Sequence, residues 1–393
     1  RFRLVTGVQT CALPILPLFG SRLIRTEGCA DGMQMVFRWF GEGNDTVSLK
    51  YIKQIPGVEG IAWGLHDIPP GEEWPVERIL EVKNQADRYG LNIDVVESVN
   101  VHEDIKLGLP TRDKYIDHYI KTIKNLAKVG VKVICYNFMP VFDWVRTDLY
   151  KEHADGSTSL FFEKAKIESI DPNQLVHQIA QSFDLTIPGW EPERLQYLST
   201  LFDKYKNITE SDLWCHLQYF LEQIIPVAER YDVKMAIHPD DPPFSVFGLP
   251  RIITNPHNIK KLLDLVDSPY NGLTLCSGSL GVNPQNDIAE MIRVFSDRIH
   301  FAHIRNIKVY KNGDFIETSH RTADGTLDIY EIVKAYREIN FSGYARPDHG
   351  RHIWDEDCRP GYGLYDRALG IMYIWGIWDT LIREKGTQQK GTR

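Results

Sequence analysis

Four short apolar runs in the second half of the chain each end in a side chain able to bind a metal. They read MAIHP at His238, LTLCSGS at Cys276, HFAHIRN at His303 and YARPDHG at Asp348. The intervals of 38, 27 and 45 residues are too wide for a zinc finger or any other local chelate. They suit strand–helix units that return repeatedly to one end of a parallel barrel. Two imidazoles, a thiolate and a carboxylate meeting there would bind a divalent transition metal. Taken singly, each residue has a plainer reading: a structural histidine, a small buried hydrophobe, a cap. The recurrence of a ligand type at four successive strand ends is what points to a metal. A closed tetrahedral zinc site would be structural, whereas an ion at a barrel mouth keeps open positions for substrate oxygens, which manganese, ferrous iron or cobalt would accept.

The elements that must position these residues are legible as an alternation. Eight β-rich apolar runs are predicted strands: VFRWF (36–40), GIAWGL (60–65), NIDVVES (92–98), VKVICYNF (131–138), MAIHP (235–239), LTLCSGS (273–279), IHFAHIRN (299–306) and GYARPDH (343–349). Helical patterns separate them, two of which end in Gly90 and Gly130 as C-caps. This is the pattern of an α/β (β/α)8 TIM barrel. A doubly wound sheet is the alternative, but FGEGND after the first strand is too weak a glycine fingerprint for one. A long segment, 142–209, separates strands four and five and is expected to be a helical insertion or lid. Other polar residues fall at the strand ends: Arg38, His66, Asp67, Glu97, Asn100, Asn137, Asp240, Asp241, Arg305 and Asn306. A mouth so equipped suits a polyhydroxylated small molecule, although caps and supporting contacts account for such residues equally well.

Composition excludes several function classes. The 393 residues carry a formal charge of −8, so no overall basic field favours nucleic acid or an anionic membrane. No apolar stretch is long enough to span a bilayer. Six widely separated cysteines show no disulfide framework, which fits a reducing, cytoplasmic location. Residues 1–32 match neither the periodicity nor the composition of the remaining chain. VTGVQTCALPI there resembles translated adapter sequence more than a targeting peptide, and a native start at Met33 or Met35 is expected. One catalytic domain is expected over 33–384, ending in an aromatic helix from Leu364, with a disordered tail over 385–393. The insertion and the aromatic terminal helix together point to a homo-oligomer.

From Met33 to Glu384 the chain resembles the metal-dependent mannonate dehydratase family of sugar-acid degradation. The resemblance is carried by FRWFGEGND, IKQIPGVEGIAWGLHDIPPGE, IHPDDPPFSVFGLPRI, LCSGSLGVNPQND, FAHIRN and ARPDHGRHIWDEDCRPGYGLYDRALG. It implies a xylose-isomerase-like barrel, a manganese cofactor, and conversion of D-mannonate to 2-keto-3-deoxy-D-gluconate with loss of water, a step of glucuronate catabolism. It implies that His238, Cys276, His303 and Asp348 are the metal ligands and that His349 and Tyr362 are catalytic, with His352 and Tyr365 as the register three residues on. Arg305 first, then Arg38, are expected to bind the sugar acid, and His66 joins them. Three rival functions remain. A metal-dependent isomerase or epimerase of the same barrel type commonly uses more carboxylates and a second metal. A DNA-repair endonuclease would need a basic stripe. A non-catalytic sugar-acid binding protein would be expected to lack the metal.

Overall fold

The computed structural model describes residues 32–170 and 195–390. In chain order its strands are β1 (Gln34–Arg38), β2 (Val58–Trp63), β3 (Asn92–Glu97), β4 (Val133–Tyr136), β5 (Asp148–Glu152), β6 (Thr158–Phe162), β7 (Lys234–Ile237), β8 (Asn271–Cys276), β9 (Ile299–His303), β10 (Ile307–Val309), β11 (Phe315–Glu317) and β12 (Tyr344–Arg346). Eight of them, in the order β1-β12-β9-β8-β7-β4-β3-β2, close into a parallel barrel. These are the eight predicted strands. Both faces of such a strand are covered, by the barrel interior and by helices, so it reads as a continuous apolar run. Every residue of β8 and β9 is buried. The interior is filled by mostly small side chains, Val36, Ala62, Val95, Val133, Cys135 and Ala236, plugged by Phe301. The larger cluster lies between the barrel and its helices.

Strand register does the positioning. In β8 and β9 Cys276 is paired with His303, and in β9 and β12 His303 is paired with Arg346, so these side chains share one layer at the C-terminal end of the barrel. His238 follows β7 directly, next to the Tyr136–Ile237 pair. Helix ends hold this frame. The helix Arg112–Val129 stops at Gly130, whose φ of +101° suits a residue without a Cβ. The helix Glu210–Arg230 starts at a capping box between Thr209 and Asp212.

The connection between the fourth and fifth barrel strands differs from the helical insertion expected. It opens with a β-hairpin, β5–β6, which joins β10–β11 in a second, antiparallel sheet of order β10-β11-β6-β5. The local reason is visible in the turns. Asp155-Gly156 and Asn312-Gly313 are hairpin dipeptides, with φ of +82° and +89° at the glycines. Tertiary packing does the rest: Leu160, Phe162 and Phe315 are buried, and the Phe162 and Phe315 rings stack at 5.1 Å. Helices Lys164–Glu168 and Leu195–Tyr205 follow within the insertion. Residues 171–194 of the insertion expected over 142–209, the N-terminal residues 1–31 and residues 391–393 lie outside the described residues. The terminal helix runs Tyr365–Lys390, into the segment expected to lack order; no proline interrupts it. Among the described residues no helix is long and apolar enough to cross a membrane.

Phe220 is fully buried on the helix Glu210–Arg230, against the rings of Tyr119, Tyr136 and Phe138 at 5.1, 6.0 and 6.0 Å. Phe220→Ala should therefore cost about 3–5 kcal/mol through lost burial and a residual cavity. Urea unfolding should show the lower midpoint, and an unchanged midpoint would contradict this packing.

Candidate active site at the barrel mouth

At the C-terminal end of the barrel, ligand atoms of His238, Cys276 and His303 lie within 4.8 Å of one another. Asp348 adjoins them, with Oδ2 3.3 Å from Cys276 Sγ and Oδ1 3.6 Å from His303 Nδ1. Its backbone sits in the left-handed region, φ +62°, which aspartate tolerates better than most residues. His238 donates Nδ1–H to the Pro239 carbonyl at 2.7 Å, which leaves Nε2 as its lone-pair atom. The Nε–H of Arg346 lies 3.0 Å from His303 Nε2. His303 Nδ1 is buried and has no hydrogen-bond partner among the described residues. Buried imidazole nitrogens are rarely left unpaired. With its proton on Nε2, toward the likewise unpartnered Glu97 Oε2 at 3.6 Å, the ring offers a lone pair on Nδ1, and with a second imidazole, a sulfur and a carboxylate around it this atom fits a divalent cation. The structure thus gathers all four residues that the sequence singled out.

Beside them stands a second group. His349 Nδ1 is 2.9 and 3.0 Å from the two carboxylate oxygens of Glu317, and His349 Nε2 is 2.9 Å from the Tyr362 hydroxyl. Burial, more than the neighbouring charges, raises the Tyr362 pKa and keeps the phenol protonated. The buried Arg367 guanidinium donates to the carbonyls of Tyr362, Gly363 and Arg38, tying the loop that carries Tyr362 to the terminal helix and to β1. His349 and Tyr362 line a cavity of about 550 Å³ together with His238 and Asp348 of the candidate metal site. His352 and Tyr365 do not. His352 is engaged by Thr158 Oγ1 and the Gly361 N–H, and Tyr365 is exposed against Trp354.

The expected substrate contacts separate. Arg38 and His66 line the cavity, with Arg38 Nη2 donating to His66 Nε2 at 3.1 Å. Desolvation, then the positive charges of Arg38 and Arg359, lowers His66 to about 3, so it is neutral. Arg305 also reaches the cavity, but its guanidinium is committed. It bonds Asp241 at 2.7 Å, Ser279 Oγ at 3.1 Å and Glu317 at 3.2 Å, and pairs with Asp348 at 3.3 Å. The glycine of LCSGS makes room for it: a Cβ on Gly278 would lie 1.9 Å from Arg305 Nε.

Several residues of the site were not singled out in the sequence. Arg346 bonds Glu97 at 2.7 Å and pairs with Asp348 at 2.8 Å. Arg146 grips Asp241 at 2.8 and 3.1 Å and Glu317 at 2.8 Å. Glu97, Asp241, Glu317 and Asp348 therefore face Arg146, Arg305 and Arg346, one more carboxylate than guanidinium. For each carboxylate burial alone would raise the pKa, but the arginines and histidines outweigh it. Glu317 is brought down to about 2. Arg346 had a signal, being the last residue of a strand two positions before Asp348. Arg146 and Glu317 had one only through the Asp-Gly and Asn-Gly turns of the unread hairpins.

A family model described as D-mannonate dehydratase matches residues 33–388. The chain belongs to the D-mannonate dehydratase family. It is 71% identical over 358 residues to mannonate dehydratase 1 of Bacillus licheniformis, covering 91% of this chain and 98% of the relative. It is 69% identical over 349 residues to mannonate dehydratase 1 of Halalkalibacterium halodurans, covering 89% and 97%. The crystal structure of mannonate dehydratase from Streptococcus suis serotype 2 is similar, with 43% identity, a TM-score of 0.81, and 91% and 95% of the two chains covered. The family resemblance carried by the six motif stretches is thus borne out, with the barrel fold it implied.

The four buried carboxylates fix the sign of the acid response. Each is held below its ordinary pKa, so each stabilises the fold above its unfolded value and loses that contribution as pH falls toward the folded one. Asp240, raised by burial despite Arg251, works in the opposite direction. Buried His66 and His300, both lowered to about 3 by desolvation, add a loss that starts below about pH 6.5, so the urea midpoint should begin to fall there and fall more steeply between about 4.5 and 2 as the carboxylates join. A midpoint that stays level across the acid range would show that these carboxylates are not paired.

Proposed function

We propose that this chain removes water from D-mannonate, giving 2-keto-3-deoxy-D-gluconate, with His238, Cys276, His303 and Asp348 holding one manganese ion; ferrous iron and cobalt suit the same donors. The observation that carries this reading is the convergence of His238, Cys276 and His303, the first of which lines the same cavity as Asp348 and the hydrogen-bonded His349–Tyr362 pair. When bound, a divalent ion supplies Lewis acidity at the substrate carboxylate and a neighbouring hydroxyl, which eases loss of the C2 proton.

The chain's own residues move the protons. The Glu317 carboxylate only accepts hydrogen bonds, so His349 carries its proton on Nδ1 and has a lone pair on Nε2. That nitrogen takes the C2 proton, and the Tyr362 phenol gives its proton to the hydroxyl leaving C3. Transfer of the proton from Nε2 to the phenolate, across the 2.9 Å between them, restores both groups. The enol so formed tautomerises to the 2-keto acid. Arg38 and His66 orient the anionic end and hydroxyls of the sugar acid from the cavity wall. Arg305, with its donors engaged, positions Glu317, Asp241 and Asp348. The thiolate among the ligands and the proton-transfer pair favour dehydration over isomerisation or epimerisation.

Chelator-treated protein should form no keto acid from D-mannonate, and manganese should restore the activity best among manganese, iron and cobalt. With metal content unchanged, His349→Asn and Tyr362→Phe should each lower kcat by about 10²–10⁴-fold. Near-parental rates in both variants would sink the role assignment. A ketose or epimer in place of the keto acid would sink the reaction itself.

A further inference from the structure

Behind His349, on the side away from Tyr362, lies Glu317, a carboxylate 1% exposed that reaches the site from the second sheet. Its backbone is well fixed. Glu317 is paired with Ile307 across β10–β11, β11 pairs with β6 of the insertion, and Ser159 Oγ donates to the Glu317 carbonyl at 2.7 Å. Its side chain is held by Arg146 at 2.8 Å and Arg305 at 3.2 Å, and both carboxylate oxygens lie within 3.0 Å of His349 Nδ1.

We infer that Glu317 is the positioning residue for His349: it fixes the ring in the Nδ1–H tautomer and aims the Nε2 lone pair at the reacting side. The inference rests on the reading of His349 and Tyr362 as the proton-transfer pair. A neutral imidazole can carry its proton on either nitrogen. The opposite tautomer would set a nitrogen lone pair against an ionised carboxylate at 2.9 Å, while Nε2–H would point at the Tyr362 oxygen and could take no proton from substrate. Arg305 Nη1 also lies 2.9 Å from Nδ1. That single donor is outnumbered by the two Glu317 oxygens at 2.9 and 3.0 Å, which need a proton on Nδ1, and Arg305 Nη1 has Glu317 as its own acceptor at 3.2 Å. The same carboxylate stabilises the imidazolium formed when Nε2 takes a proton, as a buried aspartate does behind the histidine of a Ser-His-Asp triad.

A purely structural counterion is the competing reading, and the geometry weighs against it. Asp241 bonds both arginines, at 2.8 and 3.1 Å to Arg146 and 2.7 Å to Arg305, and Arg305 also pairs with Asp348 at 3.3 Å, so the two guanidiniums face two carboxylates apart from Glu317. A carboxylate present only to balance them has no need to place both its oxygens on Nδ1. The consequence for the fold is specific: the insertion hairpin, by pairing with β11, sets the orientation of a ring carried by the loop after β12.

The test is a double-mutant cycle in kcat for D-mannonate with the metal-loaded enzyme, with KM and metal content measured for each variant. Glu317→Gln should lower kcat on the order of 10²–10⁴-fold, leaving KM and bound metal near parental values. Combined with His349→Asn, it should add nothing beyond about twofold to the loss from His349→Asn alone, because the interaction is already gone. Glu317→Asp keeps the charge facing the arginines while withdrawing it from Nδ1, and serves should the glutamine variant not fold. It should remain slower than parent by about tenfold or more. Parental kcat in either Glu317 variant, losses that multiply in the double variant, or loss of metal and substrate affinity in step with kcat would each overturn the inference. His349→Asn at full rate would instead refute the proton-transfer reading beneath it.

Discussion

Three guanidiniums buried among four carboxylates lock the mouth of this barrel. Arg146, Arg305 and Arg346 are each at most 1% exposed. Taking such charges out of water is costly, and the cost is recovered only when nearly every donor finds an acceptor. Removing one partner leaves an uncompensated buried charge, so the network tolerates few arrangements. That rigidity suits the proposed role of His349 and Tyr362, which would need their placement held to within a fraction of an ångström.

The network joins parts of the chain that are remote in sequence. Arg146 comes from the insertion, Asp241 from the loop after β7, Arg305 from the exit of β9, Glu317 from the second sheet, and Asp348 and His349 from the loop after β12. Asp241 and Glu317 are each shared by two arginines, so the five loops cannot shift independently. The antiparallel sheet is what allows this. The β10–β11 hairpin folds the chain back over the barrel mouth, and β6 clamps it there. An insertion expected only to cover the site thus takes part in building it.

Much of this was legible from the chain alone. A strand covered on both faces must be apolar throughout, so the eight barrel strands announce themselves. A barrel brings strand ends together, so ligand types at four successive ends already imply a metal. The hairpins were hidden for a local reason: Thr158–Phe162 and Phe315–Glu317 are short, and their apolar residues do not distinguish a strand from a turn of helix. The dipeptides Asp155-Gly156 and Asn312-Gly313 were the available signal. Arg305 looked like a substrate contact because a strand-end arginine above a sugar-acid site invites that reading. In the structure its donors are engaged by Asp241, Glu317 and Ser279.

By itself, the sequence determined the barrel, the family, and the identities of the residues gathered at its mouth. These follow from local periodicity and from residue types at strand ends, which need no knowledge of who touches whom. The tertiary structure alone decided which of two neighbouring histidines and tyrosines face the cavity, that Arg305 is engaged by carboxylates, and that Glu317 stands behind His349. Those outcomes depend on strand register and barrel closure. Such constraints bring together residues as far apart as Arg146 and Glu317, and no local pattern along the chain records them.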